Sequence, residues 1–170
     1  GTFQDVALFA GVALSEEGRA YSGMGANFGD FDNDGYLDIV VTNFQDQPNS
    51  LYHNERNSFF TDVSFAKGLG EASLPYLAWG VDFVDVDNDG WLDLFVANGH
   101  LDDNIAEIDP VGTYAQRNQL FYVHFFEHRL LIIERCGFRR GHPVGAVDHP
   151  VDVKPAAHQI EQVHYDDRLD

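Results

Sequence analysis

Carboxylates recur at one spacing in two places. In Asp30-Phe31-Asp32-Asn33-Asp34-Gly35-Tyr36-Leu37-Asp38 they stand at positions 1, 3, 5 and 9, and Asp85-Val86-Asp87-Asn88-Asp89-Gly90-Trp91-Leu92-Asp93 repeats the arrangement. Carboxylates converging on one point repel, since two unit charges 4 Å apart cost about 4 kcal/mol at an effective dielectric of 20. Such a loop is expected to splay unless a cation fills it. Ca²⁺ takes about six to eight hard oxygen ligands in a flexible shell, a number met by the aspartates, a backbone carbonyl at position 7 and water. Mg²⁺ fits less well, because it keeps several waters and prefers one or two carboxylates. Neither loop contains His or Cys, which disfavours softer metals. Gly35 and Gly90 at position 6 supply the positive φ that curls the chain around an ion. The expected ligands are Asp30, Asp32, Asp34, Tyr36 and Asp38 for one Ca²⁺, and Asp85, Asp87, Asp89, Trp91 and Asp93 for a second.

The elements around these loops separate them from other calcium motifs. An EF-hand needs a bidentate Glu at position 12, but Val41 and Val96 stand there, inside apolar runs that read as strands. A thrombospondin-type array would bring cysteines, and the chain's one cysteine, Cys136, is far from either loop. Acidic solvated turns are the plainer alternative, although turn propensity alone does not reproduce one carboxylate spacing twice.

The loops belong to an internal repeat. Gly25–Asn43 lies on Gly80–Asn98 at an offset of 55 with 11 of 19 positions identical. Phe3-Gln4-Asp5-Val6 with Gly11 matches Phe60-Thr61-Asp62-Val63 with Gly68 at 57, and Asn49-Ser50-Leu51-Tyr52 is echoed by Asn118-Gln119-Leu120-Phe121 at 69. Short β-branched and aromatic runs bounded by Gly, Asn and Asp predict strands near 25–31, 37–42, 50–53 and 59–63 in the first unit. A four-stranded unit repeating at this period implies a propeller blade. The fold expected is all-β, a partial β-propeller of about two four-stranded blades (about 3–58 and 60–121) with an irregular C-terminal tail at 122–170. Two blades do not close a ring of about four to eight, so the chain reads as a fragment of something larger.

Composition narrows the partners. Hydrophobic residues at 44% and aromatics at 14% belong to a folded chain. The 28 acids outweigh 10 bases, a net charge of −18 that repels nucleic acid and anionic membrane surfaces and favours cations. No apolar run is long enough to span a bilayer, and the opening Gly1-Thr2-Phe3-Gln4 does not read as a signal peptide. Direct membrane insertion of this segment is not expected.

Gly25-Ala26-Asn27-Phe28-Gly29-Asp30 and the following Phe31-Asp32-Asn33-Asp34-Gly35 resemble the FG-GAP/VCBS repeat, the blade of integrin α-subunit propellers. Val96-Ala97-Asn98-Gly99-His100, an insertion, and then Gln116-Arg117-Asn118-Gln119-Leu120-Phe121 resemble more narrowly the ASPIC/UnbV or cartilage acidic protein family. The resemblance covers residues 1–121. It implies an extracellular, cell-surface or periplasmic propeller with calcium in its blade loops and no established catalysis. The function expected is that of an adhesion or ligand-binding scaffold for a protein or glycan, not an enzyme. The alternative is the scaffold of a carbohydrate-active lyase or hydrolase, for which Asp102, Asp103, Glu107 and Asp109 are the local candidates.

Other residues carry weaker signals. His100 with Asp102 and Asp103 forms either an acid/base or metal cluster or a simple turn cap. Trp79, Trp91, Tyr36 and Tyr76 stack on sugars or, more often for such residues, pack between blades. Asn43 and Asn98 read as turn formers, and the insertion at 99–117 is the expected seat of specificity. After Phe121 the pattern stops: residues 1–121 carry a net charge of −16 and the rest −2, with six of eight histidines in the latter. An out-of-frame or chimeric translation, a divergent segment and a separate element all fit that break. His124-Phe125-Phe126-Glu127-His128 does not have the zincin order, and Cys136 near Arg135, Arg139 and Arg140 has the surroundings of a thiol of lowered pKa.

Overall fold

The repeat in the sequence becomes a repeat of sheets. A computed structural model describes residues 1–15, 17–110, 112–124 and 129–133. Strands β1 (Gly25–Gly29), β2 (Asp38–Thr42), β3 (Ser50–Asn54) and β4 (Phe60–Asp62) form one antiparallel sheet in sequence order. A second sheet, also in sequence order, contains β5 (Ala78–Val84), β6 (Asp93–Asn98), β7 (Gln119–His124) and β8 (Arg129–Ile133). Short helices α1 (Ala7–Ala10), α2 (Leu69–Ser73) and α3 (Ile105–Ile108) lie between or before the strands. The architecture is all-β and propeller-like, as the repeat implies, and the strands fall within a few residues of the runs that foretell them.

Equivalent registers show how deep the repeat goes. Ile39 faces Tyr52 in the first sheet, and Leu94, 55 residues on, faces Phe121 in the second. In β2, Asp38, Val40 and Thr42 are buried while Ile39 and Val41 are half-buried, so both faces of that strand are covered. One core of Phe31, Val40, Leu51, Leu69, Ala78, Leu94, Val96, Phe121 and Val123 runs through both sheets. The second sheet continues beyond residue 121, where the sequence likeness ends: β7 runs to His124 and pairs with β8, Phe121 facing Ile132.

Close approach between the sheets depends on small residues. A Cβ on Gly25 would stand 2.2 Å from the Trp79 carbonyl oxygen, and one on Gly29 would stand 2.5 Å from the Phe83 ring. The Thr42 hydroxyl donates to that Trp79 carbonyl over 2.7 Å and accepts from the Gly25 N–H over 2.9 Å. Asn27 adds a bond from its amide to Asp82 of β5 at 2.7 Å. The first strands of the two sheets thereby lie side by side.

The upstream repeat is visible too. The Asp5 carboxylate accepts from the Ala7 N–H at 3.0 Å, as Asp62 does from Ser64 at 2.9 Å. Gly11 and Gly68 then share a left-handed φ of 84°. Phe3–Val6 keeps the turn that follows β4 but belongs to neither sheet.

Candidate metal centre

Each acidic loop connects the first and second strands of a sheet, and main-chain donors set its shape. The two oxygens of Asp30 accept from the N–H groups of Asp34 and Gly35, both at 2.9 Å, and Asp34 accepts from Tyr36 at 2.9 Å. In the second loop Asp85 accepts from Asp89 and Gly90, both at 3.1 Å, and Asp89 from Trp91 at 2.9 Å. Backbone N–H groups therefore help to curl these loops. Gly35 and Gly90 have φ of 88° and 89°, the conformation expected of position 6. Asn33 and Asn88 at position 4 are also left-handed, at 56° and 60°, a role Asn tolerates better than most residues.

Position 9 is the structural anchor. Asp38 and Asp93 are almost wholly buried. Asp38 accepts from the Phe31 N–H at 3.2 Å and from Asn54 of β3 at 2.8 Å. Asp93 likewise accepts from Val86 and from Val123 of β7, both at 3.0 Å. Burial pushes both carboxyls above the ordinary aspartate range, and those backbone donors pull them back down. Neighbouring carboxylates then raise them again, Asp32 in the first loop and Asp87 and Asp89 in the second, while His53 acts to lower Asp38.

The side-chain oxygens converge. Asp30, Asp32 and Asp34 form one triad, and Asp85, Asp87 and Asp93 another, with ligand atoms within 4.8 Å of one another. Asp89 is outside the second triad. A further triad of Asp32, Asp38 and His53 brings in a residue that the loop sequence does not contain. Arg56 reaches Asp34 at 3.3 Å and lies 4.8 Å over the Tyr36 ring, while Trp91 is half-buried against the core. The donor set fits a hard divalent cation such as calcium: it is rich in carboxylate oxygen, and Asp32 Oδ1 is closed off from solvent without a hydrogen-bond partner.

Residues 30–96 match the FG-GAP-like repeat family. The match starts on the first aspartate of one loop and ends at the second-sheet strand β6, so the FG-GAP-like stretch takes in both acidic loops. No curated protein matches the chain. Asn43, just past β2, and Asn98, the last residue of β6, tie down the connections that follow: their amides donate to the carbonyls of Pro48 at 2.7 Å and Arg117 at 2.9 Å, so Asn98 bridges an insertion from within its strand and is not a turn residue.

The remaining candidates fall into place individually. His100 is buried and its Nδ1 accepts from the Asp102 N–H at 3.0 Å, which is the geometry of a turn cap. Asp102, Asp103 and Glu107 are exposed, while Asp109 accepts from the Gln45 amide at 2.7 Å. The Trp79 indole donates to the Gly99 carbonyl at 2.7 Å, and Tyr76 is half-buried. Phe125–His128, Cys136 and its neighbouring arginines lie outside the described residues, as does all of 134–170. Among the described residues no helix is long and apolar enough to cross a membrane.

Proposed function

We propose that this chain is a calcium-binding part of an extracellular, cell-surface or periplasmic β-propeller that works as a scaffold for adhesion or ligand binding. The observation that carries the reading is the pair of acidic loops, alike in sequence and hydrogen bonding, set at the same place in two neighbouring FG-GAP-like sheets. Two Ca²⁺ ions are assigned, one per loop, with the carbonyls of Tyr36 and Trp91 completing shells built on the ten residues named from the sequence. The role is structural. Charge neutralisation lets each loop hold β1 to β2, or β5 to β6, without carboxylate repulsion.

The resemblance of residues 96–121 to the ASPIC/UnbV family implies a propeller with no established catalysis, and we read the chain accordingly as a ligand-binding scaffold. The insertion between β6 and β7 is the proposed contact surface. It is moored by the His100 N–H on the Tyr114 carbonyl at 3.0 Å and by Gln45 on Asp109, and it exposes Leu101, Ile108 and Tyr114. A moored loop with apolar tips suits a protein or glycan ligand. Calorimetric calcium titration of the full chain tests the central claim: two bound ions are expected, falling to one in Asp32→Asn and to one in Asp87→Asn. Absence of calcium binding at millimolar concentrations would remove it, since extracellular calcium modules bind at about 10⁻⁴ to 10⁻³ M or tighter.

A further inference from the structure

The two acidic loops differ by one residue that strand register delivers. Because Ile39 faces Tyr52 and Leu94 faces Phe121, His53 in the first sheet and Tyr122 in the second occupy corresponding places. His53 Nδ1 stands 3.3 Å from Asp32 Oδ2 and 3.2 Å from Asp38 Oδ1. It makes no hydrogen bond to either, although it is closed off from solvent, and the adjacent Asp32 Oδ1 is equally closed off and unpartnered. Asp32 thus belongs to two triads, one all-oxygen with Asp30 and Asp34, the other nitrogen–oxygen with Asp38 and His53. Among the described residues the second loop offers only an all-oxygen triad.

An occluded imidazole nitrogen that faces two carboxylates without donating to them is satisfied by an ion bonded to all three. Bonds of about 2.1 Å give ligand–ligand edges of roughly 3.0 Å in an octahedral shell and roughly 3.4 Å in a tetrahedral one. The separations at His53 lie between. The ring is also held in place, since buried Phe31 packs edge-on against it with centroids 6.2 Å apart at 79°. Imidazole suits zinc and its first-row neighbours, whereas carboxylate and carbonyl oxygens suit calcium.

We propose that His53 is a metal ligand, and that with Asp32 and Asp38 it lets the first loop, a calcium site when calcium alone is offered, take a first-row divalent cation of the zinc class in preference, as a mixed nitrogen–oxygen site. The second loop stays an oxygen site for calcium. This rests on the reading of the loops as cation sites and sharpens it: the two sheets of one chain sort two kinds of metal. The competing account is that His53 simply contacts the two carboxylates directly and binds no metal.

The test titrates the full chain with Zn²⁺ and with Ca²⁺, each alone and in the presence of the other. His53→Tyr installs the residue that the second sheet carries at this place, and His53→Gln is a smaller change should the tyrosine disturb folding. Long-range ¹⁵N NMR of the wild-type imidazole gives a readout free of mutation. One zinc ion is expected in the wild type, with a shift of the His53 Nδ1 resonance, and it should displace one of the two calcium ions while the other is retained at the second loop. Both variants should lower zinc affinity by about 10- to 100-fold or more, since loss even of an outer-shell partner typically costs that much, and leave calcium binding at the second loop unchanged. Zinc affinity unaltered in both variants, or an unmoved Nδ1 resonance, overturns the assignment of His53 while calcium binding keeps the broader reading. Failure of both cations to bind overturns both.

Discussion

The side-chain amide of Asn33, in the first acidic loop, donates to the main-chain carbonyl of Gly90 in the second across 3.1 Å. The loops are therefore bonded to each other as well as built alike. Asn33→Gly deletes this bond and still accommodates the left-handed φ of 56°. A net loss of about 1 kcal/mol is expected in urea denaturation. In a double-mutant cycle, Asp87→Asn should weaken calcium binding at the first loop in the wild-type background, by up to about fivefold, and much less in the Asn33→Gly background. No effect in the wild-type background would show the loops to be independent, and equal effects in both backgrounds would show that their coupling does not pass through this bond.

Gly25 and Gly80 occupy the same repeat position but have different surroundings. A Cβ at Gly25 meets the Trp79 carbonyl, which is backbone and has little room to move, whereas at Gly80 the nearest atom is the Ala97 Cβ at 3.8 Å. Gly25→Ala is expected to cost about 1–3 kcal/mol as an overpacking change. Gly80→Ala should be neutral or slightly stabilising, because a strand glycine is entropically costly. Thermal midpoints of the two variants compare these directly, and equal losses would contradict the assigned sheet contact.

Acidity distinguishes the metal-free from the calcium-loaded chain. Asp38 and Asp93 are raised by burial, so the folded chain holds these protons more tightly than the unfolded one. Without metal, their contribution to stability is fully present below the ordinary aspartate range and is lost as pH climbs through the raised folded values. Calcium takes the deprotonated form, so its stabilising effect should be small at low pH and grow across that same window. Melting curves against pH, with and without calcium, check both signs. Asp93→Asn should flatten the metal-free slope, and a metal-free midpoint that rose with pH there would refute the account.

The turn between β3 and β4 stores backbone strain. Arg56, Asn57 and Ser58 are three successive residues with φ of 62°, 69° and 66°, and none is glycine. Ser58 is exposed, so Ser58→Gly relieves the steric cost without removing a core contact. A gain of about 1 kcal/mol is expected by chemical denaturation, and no gain would place the strain elsewhere.

Sequence pattern revealed the parts of this molecule that depend on neighbours along the chain. Gly35 and Gly90 announced their backbone conformation, the runs after Leu37 and Leu92 announced strands, and the aspartate spacing announced the convergence of Asp30, Asp32 and Asp34. His53 was hidden, because it is 15 residues beyond Asp38 and only the antiparallel pairing of β2 with β3 returns it to the loop. The signal existed in the register: the last residues of a blade's third strand must come back beside the end of its first connection. Strand β8 was hidden for a different reason. Its main chain completes a sheet using residues that no longer resemble the repeat, and hydrogen bonding along an edge asks little of side-chain identity.

The buried aspartate at the ninth position clasps the start of its loop and the third strand through main-chain bonds that involve no ion. Each such side chain is a rivet through two distant lengths of main chain, so that its removal would loosen a loop mouth and a strand end together.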